Sequence, residues 1–204
     1  MSLVVVEGMD FSGKSTVCRL LRDRLTGHGL TVTASRTSLA RGVMPALIEA
    51  LYRAPLPPLA RSIAFHAAYL PDLRAARPGG RRVLLQESYV CRVLAYDQAR
   101  GRRVLAWCAR YLAARLHRRV DLAVLLDCPY EERRARWQAA GTAGRRDARR
   151  FSTARRPFEE RLSMHLSQAA HAAGYTVVPA GGRDAHQVAA EITALVLALP
   201  ELPR

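Results

Sequence analysis

The sequence predicts an α/β protein of three layers, in which helices cover both faces of a five-stranded parallel sheet. Short apolar runs rich in β-branched residues are typical of strands that are buried on both faces. Between these runs, apolar residues recur at helical spacing. Because strands that alternate with helices form parallel sheets, the pattern favours one doubly covered sheet. The 204 residues are enough for a sizeable core, and we expect residues 1–204 to form one domain.

The first half of the chain begins with a strand, a glycine-rich loop and a helix. Residues 3–6 read Leu-Val-Val-Val, which is typical of a buried parallel strand. The apolar spacing over 14–28 predicts a helix, and Gly27 and Gly29 provide its stop signal. The remaining predicted elements of this half are a strand at 30–34 and helices at 43–53 and 60–76.

The second half repeats the alternation of strands and helices. Its predicted strands are 82–86, 121–127 and 175–178. Its predicted helices are a stretch that follows the third strand to about 119, then 129–140, 157–172 and 185–199. In sheets of this kind, ligands bind beyond the carboxyl ends of the strands. We therefore expect the glycine-rich loop, Arg36, Glu87 and Asp127 to converge at one edge.

The loop after the first strand carries the most specific motif of the chain. Residues 8–15 fit the pattern G-x-x-x-x-G-K-[ST] at every position. Its lysine, Lys14, is the single lysine among 32 lysine and arginine residues. In such a P-loop, backbone N–H groups cradle phosphates, the lysine reaches the β- and γ-phosphates, and the hydroxyl of Ser15 ligates Mg²⁺. The sequence therefore predicts a P-loop NTPase fold that binds ATP and Mg²⁺. The predicted nucleotide-binding residues are Gly8, Ser12, Gly13, Lys14, Ser15 and Thr16.

Charge and cysteine content say less about function. The net charge of +15 suits polyanionic partners such as nucleotides. Because the chain has a general preference for arginine, this net charge is only weak evidence for nucleic-acid binding. The four cysteines lack metal-ligand spacing, which is typical of free thiols in a reducing cytoplasm. Acidic residues interrupt the N-terminal apolar run, and no stretch is long enough to cross a membrane. We expect a cytoplasmic protein without a membrane partner.

Two carboxylates and an arginine-rich segment complete the predicted site. Glu87 ends the third strand, where a P-loop enzyme needs a carboxylate near the metal. Asp127 has the same position on the fourth strand, where it either faces the site or caps the next helix. Residues 141–154 are rich in arginine and predict a lid over the triphosphate, with a solvated basic loop as the alternative. We assign the charge-stabilising role to Arg145 and Arg149, which share this segment with Arg146 and Arg150.

Over nearly its whole length the chain resembles the thymidylate kinases, within the larger group of nucleotide and nucleoside kinases. The resemblance rests on the P-loop with the preceding Glu7, on Phe65 and Tyr69, on Glu87-Ser88-Tyr89 followed by Leu94-Ala95-Tyr96, on Leu126-Asp127 with Pro129, and on Phe158 after the arginine-rich segment. It implies a five-stranded parallel sheet, a homodimer, and transfer of the γ-phosphoryl group of ATP to thymidine monophosphate with Mg²⁺.

The resemblance also implies roles on the acceptor side. Asp10 would orient the acceptor, Phe65 would stack on a ring, and Arg36 and Arg92 would meet acceptor charge. The predicted acceptor-binding residues are Arg36, Phe65, Tyr69, Ser88, Arg92 and Tyr96. For Phe65 and the tyrosines, packing in the core is the alternative.

The departures from the family pattern fall on the acceptor half. Ser88 stands where the family has an arginine that grips the acceptor phosphate, and Tyr69 stands where an arginine contacts thymine. Phe11 replaces a glycine after the loop aspartate, and of the family's Thr-Arg-Glu-Pro only Arg36 remains. Because Arg92 follows Ser88 by about one helical turn, we hypothesise that its guanidinium replaces the lost one.

Two other functions remain open at this point. A kinase of another nucleoside, or of a non-nucleotide small molecule, would explain why Ser88 replaces an arginine. A basic protein that binds nucleic acid and uses ATP as a switch would explain the charge. The sequence has no apparent helix-turn-helix or aromatic platform for single strands, so we expect no nucleic-acid partner.

Overall fold

The computed structural model describes residues 2–36, 46, 50, 51, 53–73, 82–141 and 150–200. The strands are β1 (Ser2–Gly8), β2 (Thr31–Ser35), β3 (Arg82–Glu87), β4 (Leu122–Asp127) and β5 (Thr176–Pro179). The helices among the described residues are α1 (Lys14–Gly27), α2 (Pro58–Tyr69), α3 (Val90–Ala99), α4 (Arg103–His117), α5 (Tyr130–Ala139), α6 (Arg156–Ala172) and α7 (Ala185–Leu197). Two 3₁₀ turns span Leu70–Leu73 and Thr153–Arg155.

The five strands are all parallel and lie in the order β2-β3-β1-β4-β5. Strand β1 is central, and all seven of its residues are buried. Its side chains alternate between the faces: Leu3 and Val5 pack with α3, α4 and α6, whereas Val4 and Val6 pack with α1 and α7. The predicted fold, a five-stranded parallel sheet flanked by helices, is confirmed.

Two helix boundaries differ from the predicted ones. The stretch after β3 is two helices, because the chain turns at residues 100–102, where Gly101 has a φ of +68° that glycine adopts without strain. Helix α2 ends at Tyr69, and the chain continues as the 3₁₀ turn. Most of the predicted helix 43–53, and the end of the helix predicted over 60–76, lie outside the described residues.

The topology gathers the ends of three strands beside the P-loop. Strands β1, β3 and β4 end at Gly8, Glu87 and Asp127, and Arg36 follows β2. The loop, Arg36 and Glu87 line one cavity, whereas Asp127 is exposed and does not line it. The capping role of Asp127 is not observed either, because the N-terminus of α5 has no side-chain cap. Among the described residues no helix has the length and apolar character needed to span a membrane.

Candidate active site

The P-loop leaves β1 through a close backbone approach that requires glycine. A Cβ on Gly8 would lie 2.8 Å from Ser12 Oγ and 3.0 Å from the carbonyl oxygen of Leu126. Gly13, at the start of α1, has a φ of +95°, which L side chains rarely adopt. The loop therefore presents backbone rather than side chains at the amino end of α1, where anions bind.

Lys14 turns its ammonium back over this loop. Its Nζ donates hydrogen bonds to the carbonyl oxygens of Gly8, at 2.7 Å, and Met9, at 2.8 Å. The residue is only 7% exposed. Burial, and then the neighbouring charge of Arg92, lower the pKa of Lys14 to about 8, although Asp10 acts in the opposite direction. Lys14 is thus a buried cation that lines a cavity beside the P-loop.

Ser15 and Glu87 bring a hydroxyl and a carboxylate together beside Lys14. The hydroxyl of Ser15 donates to Glu87 Oε1 at 2.6 Å, and the other carboxylate oxygen of Glu87 pairs with Arg36 Nε at 2.9 Å. Mg²⁺ is bound in proteins through one or two carboxylates together with phosphate oxygens and water. A hydroxyl and a carboxylate at this position fit such an ion, whose remaining ligands would come from the nucleotide and solvent.

Asp10 lies among cations at the centre of the site. Arg92 donates a hydrogen bond to Asp10 Oδ1, Arg150 pairs with Oδ2 at 2.6 Å, and Lys14 Nζ is 3.9 Å from Oδ1. Burial raises the pKa of Asp10, but the charges of Arg92, Lys14 and Arg150 outweigh it and hold the pKa well below its usual range. Asp10 is therefore a carboxylate at neutral pH.

Glu7 is a buried carboxylate that joins the P-loop to the segment after β3. Its Oε1 accepts a hydrogen bond from the Gly8 N–H at 3.0 Å, and its Oε2 accepts one from the Tyr89 N–H at 2.8 Å. Ser88, which lies between the end of β3 and Tyr89, has a φ of +60°. A left-handed conformation at a residue other than glycine costs about 1–2 kcal/mol. These hydrogen bonds fix the Ser88 turn at the edge of the cavity.

One cavity of about 1240 Å³ extends from the P-loop to helices α2 and α3. At its far end, Phe65 of α2 and Tyr96 of α3 provide partly exposed rings. Tyr69 and Tyr89 also border the cavity, but both are buried and meet edge to face at 5.4 Å between centroids. The Tyr89 hydroxyl donates to Asp72, also buried, at 3.1 Å. Tyr89 therefore has a packing role, whereas Phe65 and Tyr96 are partly exposed in the cavity lining, with the Arg100 guanidinium over the Tyr96 ring.

Most of the predicted site residues border this single cavity. The predicted residues that line it are Asp10, Gly13, Lys14, Ser15, Thr16, Arg36, Phe65, Tyr69, Glu87, Ser88, Arg92 and Tyr96. Gly8 and Ser12 lie behind the lining. Arg145 and Arg149 lie outside the described residues.

The sequence prediction missed several lining residues. Arg61 precedes Phe65 by four residues, and Arg100 follows Tyr96 by four, so each shares a helix face with a predicted ring residue. That periodicity was the available signal. Arg155 follows the arginine-rich segment and had no such signal.

Phe11 connects the P-loop to the chain beyond that segment. Its φ of +64° is unusual for a bulky residue, and its ring meets Phe151 edge to face at 5.5 Å. Phe151 is buried and stacks on Trp137 of α5 at 5.2 Å. The bulk that replaces the family glycine is therefore packed against Phe151 beside Arg150.

Comparison with known proteins shows a likeness of structure and none of sequence. No family model matches the chain, and no curated protein matches it. The solved structure of thymidylate kinase from Candida albicans matches with a TM-score of 0.66 at 15% sequence identity, covering 99% of this chain and 93% of that one. That protein is described as having broad substrate specificity. At this identity the likeness is one of fold: the chain has a thymidylate kinase-like fold, the fold of a P-loop kinase.

Proposed function

We propose that the protein is an ATP-dependent kinase of the thymidylate kinase type, which transfers the γ-phosphoryl group to a nucleoside monophosphate, thymidylate or a related acceptor. The observation that carries the proposal is the single continuous cavity. One end of it is bordered by Lys14, Ser15 and Glu87, and the other by the rings of Phe65 and Tyr96. A donor and an acceptor can therefore meet in one space.

Catalysis in this site would depend on positioning and charge neutralisation. Lys14 would leave its hydrogen bonds to Gly8 and Met9 and donate to the β- and γ-phosphates instead. Ser15 and Glu87 would hold Mg²⁺, which neutralises phosphate charge when it is bound. Asp10, a carboxylate among cations, would orient the acceptor, and a lid arginine such as Arg145 or Arg149 would stabilise the transferring group.

The acceptor end is the part that needs a direct test. The rate of ADP formation should be measured with thymidylate, the other nucleoside monophosphates, free nucleosides and simple alcohols. We expect monophosphates to give values of kcat/KM at least tenfold above those of the matching nucleosides. Turnover of nucleosides or alcohols in preference to monophosphates would instead identify a kinase of unphosphorylated acceptors. ATP-independent, salt-sensitive nucleic-acid binding without kinase activity would contradict both.

The lowered pKa of Lys14 predicts a pH dependence of ATP binding. The ammonium is the form that binds phosphate, and in the free protein it loses its proton as the pH rises through about 8. We expect kcat/KM for ATP to fall above this pH, and kcat to fall only at higher pH, because bound phosphates stabilise the ammonium. In Lys14→Arg the guanidinium stays protonated, so this fall in kcat/KM at high pH should disappear. If the fall in kcat/KM for ATP persists in Lys14→Arg, a group other than Lys14 causes it.

A homodimer, which the resemblance implies, is supported by an exposed apolar face. Val104, Trp107 and Tyr111 lie on one side of α4, at 76%, 68% and 57% exposure. Leu70, at 54% exposure, belongs to the 3₁₀ turn that packs beside α4. A contiguous apolar surface of this kind is typical of a protein interface.

If this apolar face forms the dimer interface, Trp107→Glu should convert the dimer into a monomer, because the dimer would have to bury the new carboxylate. Sedimentation velocity measures the change directly. Leu197→Glu, on α7 across the sheet, is the matched control and should remain dimeric. A wild-type protein that sediments as a monomer at micromolar concentration would contradict this part of the proposal.

A further inference from the structure

Cations and a ring alternate along one face of α3. Arg92, Tyr96 and Arg100 follow one another at intervals of four residues, and all three line the cavity. At a rise of about 1.5 Å per residue, Arg100 lies roughly 12 Å along the helix axis from Arg92. Arg92 donates to Gly8 O and to Asp10 at the P-loop. Arg100 therefore marks the opposite end of the cavity.

Arg100 is held there by aromatic rings and not by a carboxylate. Its guanidinium carbon lies 5.4 Å from the ring centroid of Tyr96 and 5.8 Å from that of Phe158. Arg155 lies over the same Phe158 ring at 4.8 Å. Within the described part of the chain, the Arg100 side chain makes no ion pair or hydrogen bond. Its two neighbours do, since Arg102 reaches Asp97 at 3.4 Å and Arg155 reaches Glu159 at 3.6 Å.

The surroundings of Arg100 favour an anion. Burial and the charges of Arg102 and Arg155 lower the pKa of Arg100, with Tyr96 and Asp97 opposing them. Arg100 is an exposed residue, so an anion can reach its guanidinium, and a bound anion would offset the repulsion among these like charges. Arg100 lines the cavity, and guanidinium N–H groups match a phosphate or carboxylate bound there.

A second guanidinium of the cavity lining belongs to Arg61. Arg61 of α2 donates to the backbone carbonyls of Ala54 and Leu56, at 2.8 Å and 3.5 Å, and its buried Nε has no hydrogen-bond partner. Among its described residues, the cavity lining carries eight basic side chains and two carboxylates. Phosphates bound at the P-loop would neutralise the near end, but not the end formed by Arg61, Arg100 and Arg155.

We propose that the end of the cavity opposite the P-loop is an anion subsite, in which Arg100, flanked by Arg155 and Arg61, binds a second phosphate or carboxylate of the phosphoryl acceptor. This inference rests on the proposed kinase function and narrows the acceptor class. The acceptor is a nucleotide-like molecule with a ring for Phe65 and Tyr96, one charged group toward Arg92, and another toward Arg100.

Equilibrium binding without ATP tests the subsite apart from catalysis. The probes are thymidine 5′-monophosphate, 5-carboxy-2′-deoxyuridine 5′-monophosphate, in which a carboxylate replaces the methyl group, and thymidine 3′,5′-bisphosphate. Isothermal titration calorimetry gives the three dissociation constants. We expect one of the two probes that carry a second anionic group to bind about tenfold or more tightly than thymidine monophosphate. Tighter binding of the carboxylate probe would place the second anionic group of the acceptor on its base, and tighter binding of the bisphosphate would place it on the sugar.

The same titrations on three variants assign the effect to Arg100. In Arg100→Ala the advantage of the probe with the second anionic group should vanish while binding of thymidine monophosphate changes little, and Arg100→Lys should restore part of that advantage. Arg161→Ala, an exposed arginine on α6 outside the cavity lining, should behave as wild type. Equal affinity for all three probes, or an advantage that persists in Arg100→Ala, overturns the anion subsite and leaves the proposed kinase function standing. A wild-type protein that binds none of the probes overturns the proposed function as well.

Discussion

Replacing Lys14 with methionine is expected to lower kcat for phosphoryl transfer roughly 100- to 1,000-fold. The ammonium is the only lysine charge in the chain, and it lies at the turn of a loop that presents backbone to phosphates. Without ligand it donates to two carbonyl oxygens, and with ATP bound it would donate to the β- and γ-phosphates, where its charge stabilises the charge that develops on the transferring group. Methionine preserves the length and burial of the side chain while removing this charge.

The fold of this variant is not expected to suffer greatly. Because burial lowers the pKa of Lys14, the native state holds this charge at a cost in free energy that the substitution removes. Gly8 O keeps the hydrogen bond from Arg92. Thermal unfolding should therefore give a Tm close to that of the wild type. Steady-state rates with saturating ATP measure the loss, and a kcat within tenfold of wild type would show that Lys14 has no part in the chemistry.

Replacing Arg92 with alanine is expected to raise the KM for a phosphorylated acceptor about 30-fold or more. The guanidinium lies at the P-loop, one turn from Tyr96 on the same helix face, and its partners are Gly8 O and Asp10. Here the charge pair is the Arg92 guanidinium with the acceptor phosphate. Removing one partner of a close, desolvated charge pair typically costs about 2 kcal/mol or more of binding free energy, and about 2 kcal/mol corresponds to 30-fold in affinity. The KM for a nucleoside without a phosphate should change far less.

A second substitution separates acceptor binding from the effect of Arg92 on Asp10. If Arg92 supplies the guanidinium that Ser88 lacks, then Ser88→Arg in the Arg92→Ala background should recover part of the acceptor KM. Ser88 already has the left-handed conformation, so the arginine adds little further strain. An acceptor KM that is unchanged in Arg92→Ala would refute the replacement hypothesis.

The donor half of the site could be predicted because its information is local. The glycine and lysine spacing of the P-loop determines the turn and the cation within eight residues. The position of Glu87 then follows from topology, since the carboxyl ends of neighbouring parallel strands meet at one edge. The geometry agrees: Ser15 Oγ and Glu87 Oε1 are 72 positions apart in sequence and 2.6 Å apart in space.

The acceptor half depends on tertiary packing, which the sequence does not reveal. Arg61 lies in α2 and Arg100 follows α3, and only the packing of α2 beside α3 brings them into the lining of one cavity. The break at Gly101, between α3 and α4, was hidden because apolar residues continue on both sides of it. Tyr89 is a similar case, since its hydroxyl is directed into the core toward Asp72.

Neither of the two roles predicted for Asp127, facing the site or capping the next helix, is observed. The end of β4 shares the carboxyl edge with Glu87, but Asp127 is exposed and lies outside the cavity lining. The neighbouring cations that order the site come from α5 and beyond. Arg136 donates to Ser12 O at 2.9 Å, and Arg150 pairs with Asp10 at 2.6 Å.

The central claim, that one cavity joins a phosphoryl donor to a nucleotide acceptor, is tested most directly by identifying the product. ³¹P NMR of the protein with ATP, Mg²⁺ and thymidylate should show the thymidylate resonance replaced by the paired resonances of a nucleoside diphosphate, at the rate at which ATP becomes ADP. The Lys14→Met variant should show neither change on the same timescale. Conversion of ATP to ADP with release of inorganic phosphate and an unchanged thymidylate resonance, repeated across the other nucleoside monophosphates, would contradict the proposed function.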